Sequence, residues 1–233
     1  MKIFGRGFHF SEDGPGNRLV YHLAGCNMRC PWCSNPEGMD GKTGQSYTVD
    51  EIVDECVRSR AMFFEGGGVT FTGGEATLWH AELSEVLMRL REHGIHTAIE
   101  TNATSPHLCE LSPWIDYLIM DFKHYDDGAL MHFTGVDGKR IRENFERLCR
   151  ERKQLHVRIP LIHGVNDDSP ECFAAYFAAQ DTSHCVFEFL PYHEYGKGKW
   201  KTPYLIENGF ITPEALESFI HTFRRYGLTV IKT

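Results

Sequence analysis

The sequence predicts an α/β fold, a partial (β/α)6 barrel of the TIM type. Short apolar segments alternate six times with longer segments whose apolar residues recur at helical spacing. Such repeats form a parallel sheet covered by helices. A complete eight-unit barrel needs roughly 250 residues, whereas this chain has 233, so six units fit the length better. A doubly wound open sheet is the alternative that the pattern leaves open.

The first three predicted strands cover residues 19–24, 69–72 and 96–100. After the first strand, Thr48 with Glu51 three positions later predicts a capping box at the start of a helix. Leucine and valine at positions 83, 86, 87 and 90 predict the second helix. A short helix near Leu108 is expected after the third strand.

The other three strands are predicted at residues 117–121, 156–160 and 186–190, each followed by a helical pattern. Residues 228–231 form a further apolar segment after the last helix. One longer loop, residues 191–212, mixes aromatic residues, lysines and glycines and is predicted to be a flap. We therefore expect a single domain over residues 1–233. The apolar residues of these helices are Ile141, Phe145 and Leu148; Phe173, Tyr176 and Phe177; and Leu216, Phe219 and Phe223.

Composition and charge exclude several classes of protein. Apolar residues make up 42% of the chain and charged residues 24%, which is ordinary for a globular protein. The net charge is −8 and no dense basic stripe is present, so we expect no nucleic acid partner. We also expect no membrane association, because no apolar segment approaches the roughly 18 residues of a span and no signal-peptide pattern opens the chain. In the cytoplasm, where we expect this protein, its eight cysteines indicate metal or redox chemistry rather than disulfides.

Polar or metal-binding residues follow five of the six predicted strands. Ligands of parallel α/β folds bind at the carboxyl ends of the strands, so we expect these residues on one rim. The segments are residues 25–33, 72–75, 100–102, 121–123 and 191–193.

Cys26, Cys30 and Cys33 form a C-x3-C-x2-C loop. Three thiolates can hold three irons of a [4Fe–4S] cluster. A fully ligated cluster takes four cysteines, so the fourth iron would stay open to an outside ligand. Two other interpretations are open: a zinc site completed by His22 or another residue, although C-x3-C is not the usual zinc spacing, and three unrelated buried thiols.

The cysteine loop, with an aromatic residue before its last cysteine, resembles the signature of radical S-adenosylmethionine (SAM) enzymes. Further segments resemble one branch of them, the activating enzymes of glycyl radical enzymes, and the chain is closest in length to the pyruvate formate-lyase activases. The resemblance covers nearly the whole chain, from Gly5 to the final strand. The matching segments are DGPGNR at residues 13–18, CSNPEG at 33–38, GGVT at 67–70, TGGE at 72–75, DFK at 121–123 and LPYHE at 190–194.

The resemblance implies a role for each matching residue. Cys26, Cys30 and Cys33 would hold the cluster, whose fourth iron would take the amine and carboxylate of SAM. Asp13 would lie near the substrate peptide. The SAM-binding residues that the resemblance implies are Trp32, Ser34, Gly73, Gly74, Glu75, Asp121, Lys123, Arg158 and His193.

Strand geometry adds to two of these expectations. Asp121 and Lys123 are two positions apart, so their side chains point to the same side of a strand. The neighbours of Arg158 in the sequence face the opposite way, so the guanidinium points inward. Burial of an unpaired charge is costly, and either an anionic ligand or a partner carboxylate would offset that cost.

The sequence departs from the pattern of many such activases, which carry a ferredoxin-like insert after the cysteine loop. Residues 37–47 contain no cysteine, so we expect a single cluster that receives electrons from an external flavodoxin or ferredoxin. Glu100 stands where the resemblance leads us to expect aspartate; with Thr101 and Asp121 it is a candidate to hold a monovalent cation. Structural thiols are expected at Cys56, Cys109, Cys149, Cys172 and Cys185.

The activity that the resemblance implies is that of an oxidoreductase. It would reductively cleave SAM to a 5′-deoxyadenosyl radical, which abstracts a glycine Cα hydrogen from a partner glycyl radical enzyme. The cofactor supplies the reactivity and the protein the positioning, so we expect no general acid or base. We expect a monomer. Two alternatives are a radical SAM enzyme acting on another peptide or small molecule and, from a different class, a zinc-stabilised scaffold or binding protein.

Overall fold

Parallel strands alternate with helices along the chain, which confirms the predicted α/β class. The structure is a computed structural model that describes residues 1–231. The sheet has the strand order β3-β1-β2-β4-β5-β6-β7-β8. The strands are β1 (Lys2–Phe10), β2 (Asn17–Leu23), β3 (Gln45–Ser46), β4 (Gly68–Gly73), β5 (Thr97–Thr101), β6 (Tyr117–Asp121), β7 (Leu155–Leu161) and β8 (Cys185–Pro191). The helices are α1 (Val49–Arg58), α2 (His80–Glu92), α3 (Leu108–Leu111), α4 (Asp127–Thr134), α5 (Lys139–Arg150), α6 (Pro170–Ala178) and α7 (Pro213–Arg225).

The chain divides into two compact units, which are described separately. Unit 1 comprises residues 1–27, 37–101 and 105–119; unit 2 comprises residues 28–36, 102–104 and the described chain from residue 120 onward. Strands β1 to β5 and helices α1 to α3 belong to unit 1, whereas β7, β8 and α4 to α7 belong to unit 2. Strand β6 begins in unit 1 and ends in unit 2. None of the helices in residues 1–231 is both long and apolar enough to cross a membrane.

The core of unit 1 lies between parallel strands and two helices. Strand β2 pairs in parallel with β4, and β4 with β5, and nearly every residue of β2 and β4 is buried. Such continuous burial is typical of strands that are covered on both faces. Helix α2 buries its four predicted apolar residues, and α1 begins with the predicted capping box between Thr48 and Glu51.

The core of unit 2 is built from aromatic rings. Phe177 of α6 lies 4.8 to 5.9 Å, between ring centroids, from the rings of Phe122, Phe145, Phe187 and Phe223. These rings come from four different segments, so their packing holds α5, α6 and α7 against β8, which pairs in parallel with β7. Tilted and edge-to-face arrangements of this kind are favoured over face-to-face stacking.

Three elements were not predicted from the sequence. Strand β1 is antiparallel to β2, and only Ile3 of its nine residues is buried, so its hydrophobic pattern is weak. Strand β3 has two exposed residues. Helix α4 has clear caps, since Asp126 accepts a hydrogen bond from the amide of Ala129 at 2.8 Å and Gly135 has a φ of 81°.

The last predicted apolar segment, residues 228–231, forms a single parallel bridge rather than a full strand. Val230 pairs with Phe187 of β8, and the amide of Ile231 donates to the carbonyl of Phe187 at 2.9 Å. The segment therefore extends the sheet in unit 2 by one position of the described chain.

The glycine pair of the GGVT segment is required by a close approach of backbones. A Cβ at Gly68 would lie 2.0 Å from the carbonyl oxygen of His96, and a Cβ at Gly67 would lie 2.0 Å from that of Asn17. Both distances are well below van der Waals contact. The neighbouring backbone at the start of β4 therefore leaves no room for a side chain at either position.

We expect Gly68→Ala to lower the free energy of unfolding by about 1–3 kcal/mol, because the added methyl group forces the β4 backbone away from its neighbour. Urea denaturation of the cluster-free protein measures the change. Gly198→Ala is the matched control: a Cβ there meets no atom within 4 Å, so its effect should stay within about 0.5 kcal/mol. Equal stability of the two variants would contradict this account.

Candidate cofactor site

The first end of the cysteine loop is fixed in unit 1 by main-chain hydrogen bonds. The amide of Gly25 donates to the carbonyl of Gly38 at 2.7 Å, and the amide of Cys26 donates to that of Met39 at 3.0 Å. The carbonyl of Gly25 in turn accepts from the amide of Glu75 at 2.7 Å. These bonds involve only backbone groups, so they fix the main chain at the start of the cysteine loop.

Gly73 and Gly74 lie where the end of β4 meets the end of β2. Gly73 has a φ of 115°, a conformation that favours glycine. A Cβ on Gly74 would lie 2.1 Å from the carbonyl oxygen of Gly25. The pair therefore brings bare backbone directly against the start of the cysteine loop.

Glu75 is buried, with 1% of its surface exposed. Its Oε1 accepts hydrogen bonds from the Thr77 amide at 3.0 Å, from the Thr77 hydroxyl and from the Thr101 hydroxyl at 2.7 Å. The carboxylate thus ties the end of β4 to the end of β5. Nearby, the Thr72 hydroxyl donates to Oε2 of Glu100 at 2.8 Å, so two of the three candidate cation ligands, Glu100 and Thr101, are ordered within unit 1.

Asp13 is also ordered within unit 1. Its Oδ2 lies 2.6 Å from Nδ1 of His9, and its carbonyl accepts from the Thr70 hydroxyl at 2.7 Å. The DGPG segment is therefore pinned to β4 by its backbone and to β1 by its side chain.

Helix α4 supports the middle of the cysteine loop in unit 2. The amide of Arg29 donates to the carbonyl of Thr134 at 2.8 Å, and the ring of Trp32 lies 6.1 Å from that of Phe133. The amide of Asn35 donates to Sγ of Cys33 at 3.4 Å. A hydrogen bond to sulfur stabilises a thiolate, and such bonds tune the potential of iron–sulfur clusters.

The flap, residues 191–212, lies against the last part of the cysteine loop. Nε1 of Trp200 donates to the carbonyl of Cys33 at 3.1 Å, and Nζ of Lys199 donates to the carbonyl of Ser34 at 3.0 Å. A Cβ on Gly196 would lie 2.5 Å from Cα of Ser34. Sequence reasoning did not assign these three flap residues to the site, because their partners become visible only in the folded chain.

Asp121 and Lys123 point to the same side, as strand alternation predicts. Nζ of Lys123 donates to Oδ2 of Asp121 at 2.9 Å, and both side chains are mostly buried. The buried side chain of Asn166 holds this segment in place, since its Nδ2 donates to the carbonyls of Lys123 at 2.9 Å and of Pro160 at 2.7 Å. Asn166 is a further positioning residue that the sequence motifs did not reveal.

The Arg158 side chain points inward and forms an ion pair with a carboxylate. Nε of Arg158 donates to Oε2 of Glu188 at 2.9 Å, and Nε2 of His156 lies 2.9 Å from the same oxygen. Burial disfavours the charged form of Glu188, but the hydrogen bond from His156 and the charge of Arg158 outweigh burial and lower its pKa. A partner carboxylate therefore offsets the cost of burying this guanidinium.

His193 lies at the surface of unit 2, just after β8. Its ring stacks on that of Tyr195 at 4.3 Å between centroids. Nδ1 of the same ring accepts from the Tyr195 amide at 3.3 Å.

The predicted residues are divided between the two units. The residues in unit 1 are Asp13, Cys26, Gly73, Gly74, Glu75, Glu100 and Thr101, and those in unit 2 are Cys30, Trp32, Cys33, Ser34, Asp121, Lys123, Arg158 and His193.

The donor set of the cysteine loop fits an iron–sulfur cluster. Cys26, Cys30 and Cys33 form no disulfide bond, and the Cys33 sulfur accepts a backbone hydrogen bond. The loop is held through its backbone at both ends. Cysteine thiolates are the ligands that hold iron–sulfur clusters in proteins.

Comparison with known proteins agrees with this chemistry. The family model of the radical SAM superfamily matches residues 20–176. The chain is 32% identical over 211 residues to a pyruvate formate-lyase-activating enzyme of Staphylococcus epidermidis, with 84% of each chain covered. It is 34% identical over 203 residues to the enzyme of that name from Staphylococcus aureus, with 82% of this chain and 80% of that protein covered.

Solved structures show the same fold. A domain of a pyruvate formate-lyase-activating enzyme from Bacteroides vulgatus matches with a TM-score of 0.62 at 29% identity, over 72% of this chain and 99% of that one. A radical SAM methyltransferase from Sphaerobacter thermophilus matches with a TM-score of 0.72 at 16% identity, over 97% of this chain and 68% of that one, which bears on the fold alone. These matches confirm the predicted fold class, a partial barrel of the radical SAM type. The chain belongs to the radical SAM superfamily, in the branch of the pyruvate formate-lyase-activating enzymes.

Proposed function

We propose that this protein is an activase that installs a glycyl radical in a partner enzyme. The observation that carries the proposal is the C-x3-C-x2-C loop, whose cysteines form no disulfide bond, in a chain that is 32–34% identical to pyruvate formate-lyase-activating enzymes over most of its length. One [4Fe–4S] cluster on Cys26, Cys30 and Cys33, with SAM on its fourth iron, would supply a 5′-deoxyadenosyl radical that removes a glycine Cα hydrogen.

The contribution of the polypeptide is positioning. Gly73 and Gly74 would present bare backbone to the methionyl amine of SAM, which their close packing against Gly25 supports. Trp32 and Ser34, whose loop rests on α4 and on the flap, would line the adenosyl side. Glu75, with Oε1 bonded to Thr77 and Thr101, would act by holding the ends of β4 and β5 rather than by direct contact.

The charged residues of unit 2 would orient the rest of SAM. Asp121 and Lys123 form a fixed pair, and Glu188 holds the guanidinium of Arg158 in one direction. With His193, these groups would contact the carboxylate, ribose or sulfonium region. Glu100, Thr101 and Asp121 would hold a monovalent cation, and Asp13 would lie near the substrate peptide.

The partners follow from the same chemistry. The protein substrate would be a glycyl radical enzyme, and a flavodoxin or ferredoxin would donate the electron, because the sequence offers no cysteine runs for a second cluster. We propose that the protein acts as a monomeric single domain over residues 1–233, in the cytoplasm.

Anaerobic incubation of the reconstituted, reduced protein with SAM and a pyruvate formate-lyase should give a glycine-centred doublet in the electron paramagnetic resonance spectrum. The triple variant of Cys26, Cys30 and Cys33 to alanine should contain no cluster and give no doublet. Cys172→Ser, which changes an exposed thiol, is the matched control and should behave as the wild type.

Two outcomes would overturn the proposal. If SAM is cleaved to 5′-deoxyadenosine but no candidate glycyl radical enzyme gives a doublet, the protein acts on another peptide or small molecule. If the anaerobic protein binds zinc in place of iron at the cysteine loop, it is a scaffold or binding protein.

Trp200→Phe should increase the rate of cluster loss in air about fivefold. The substitution removes one hydrogen bond to the Cys33 carbonyl, worth about 1 kcal/mol, and so lets the flap leave the loop more often. The decay of the cluster absorbance in air measures the rate. Trp114→Phe, which changes a ring stacked on Arg91 in unit 1, should leave the rate unchanged, and equal rates for all three proteins would contradict a protective flap.

Glu188→Gln should lower the free energy of unfolding at pH 7 by about 3–5 kcal/mol, because it leaves the buried Arg158 without its carboxylate. The pKa of Glu188 is lowered in the folded protein, so the carboxylate contributes its stability above its ordinary pKa of 4.5 and loses it as the pH falls through the folded value. The difference in the free energy of unfolding between the wild type and Glu188→Gln should therefore shrink below about pH 4.5.

Denaturation of the cluster-free proteins across this pH range measures the gap. Glu151→Gln is the control, since its ion pair with Arg147 is solvent-exposed and should contribute less than about 1 kcal/mol. A gap for Glu188→Gln that stays constant with pH would show that the charge of this carboxylate is not what stabilises unit 2.

A further inference from the structure

A second group of metal-binding side chains lies in unit 2, at the amino-terminal end of β8. Cys149, His184 and Cys185 each offer one ligand atom, and these atoms lie within 4.8 Å of one another. His193 and the flap follow the opposite, carboxyl end of the same strand. The group is therefore separate from the residues assigned to SAM in unit 2.

Both cysteines are free and buried, each with 2% of its surface exposed. The two sulfur atoms lie within 4.8 Å of each other. The two sulfurs thus already face each other at the end of α5 and the start of β8.

His184 completes the group. Among the described residues, neither of its ring nitrogens has a hydrogen-bond partner, although both nitrogens are buried. A buried polar atom without a partner costs free energy, and an ion that is absent from the coordinates is one of the usual reasons for it. His184 as a whole residue is half-buried.

The backbone that carries the three ligands is held firmly. The amide of Leu155 donates to the carbonyl of His184 at 3.2 Å, and the amide of Arg152 donates to the carbonyl of Cys149 at 2.9 Å. The side chain of Arg152 then reaches across to Oδ2 of Asp181 at 2.7 Å. The end of α5 and the segment before β8 are thus joined independently of any metal, which favours a pre-organised site.

We propose that Cys149, His184 and Cys185 form a structural zinc-binding site. Two thiolates and an imidazole are ligands that suit Zn²⁺. Binding displaces the two thiol protons, so the two thiolate charges balance that of the ion. A water molecule takes the fourth tetrahedral position, and the ion fastens the end of α5 to the start of β8.

The test uses the anaerobically reconstituted protein, in which iron occupies the cysteine loop. In competition with a chromophoric chelator, it should bind one equivalent of Zn²⁺. X-ray absorption at the zinc edge, which iron does not disturb, should show two sulfurs at about 2.3 Å and nitrogen or oxygen at about 2.0–2.1 Å. Cys172→Ser is the matched control and should bind zinc as the wild type does.

The double variant Cys149→Ser/Cys185→Ser should lose both sulfur scatterers, and its affinity should fall by at least about 100-fold. His184→Gln keeps the buried thiols, so it tests the site even where the double variant does not fold. Its sulfur ligands should persist while the zinc affinity falls by at least about tenfold, the smallest loss typical even of residues that only support a ligand. The proposal is overturned if the wild type does not compete with the chelator, if its zinc has no sulfur ligands, or if His184→Gln and the double variant bind as tightly as the wild type.

Discussion

The cysteine loop depends on hydrogen bonds that run through its backbone. In unit 1 the peptide groups of Gly25 and Cys26 bond to Gly38, Met39 and Glu75. This anchoring requires the end of β4 to approach the loop so closely that no side chain fits at residue 74. A glycine pair that would otherwise indicate an ordinary turn is here a steric requirement of the site.

Unit 2 meets a different constraint, the burial of charge. Arg158 lies in a strand whose residues are nearly all buried, and the cost of placing a guanidinium there is offset by Glu188 directly across the parallel register. A buried ion pair adds little net stability compared with apolar residues of the same size, but it fixes the direction of the charged group.

The strands and helices were largely predictable, because both faces of a parallel sheet are covered and the apolar pattern is therefore strong. Strand β6 was predicted with its observed bounds, and α1 with its capping box. Strand β1 was missed because glycines interrupt its alternation and most of its residues are at least partly exposed. Helix α4 was missed although Asp126 and Gly135 mark its ends, because its apolar pattern is weak. The sequence motifs predicted which residue types could bind a cluster. Asn166, Lys199 and Trp200 were missed because their hydrogen-bond partners lie far away in the chain, and a local sequence pattern does not indicate such contacts.

The contacts of the flap have a consequence for substitutions at residue 34 of this chain. Trp200 and Lys199 donate to the carbonyl oxygens of residues 33 and 34, which every amino acid carries, and Lys199 donates also to Oδ1 of Asn35 at 3.1 Å. The side chain at position 34 can therefore mutate without undocking the cover. The chemistry of that side chain can thus change while the two contacts between the flap and the loop backbone persist.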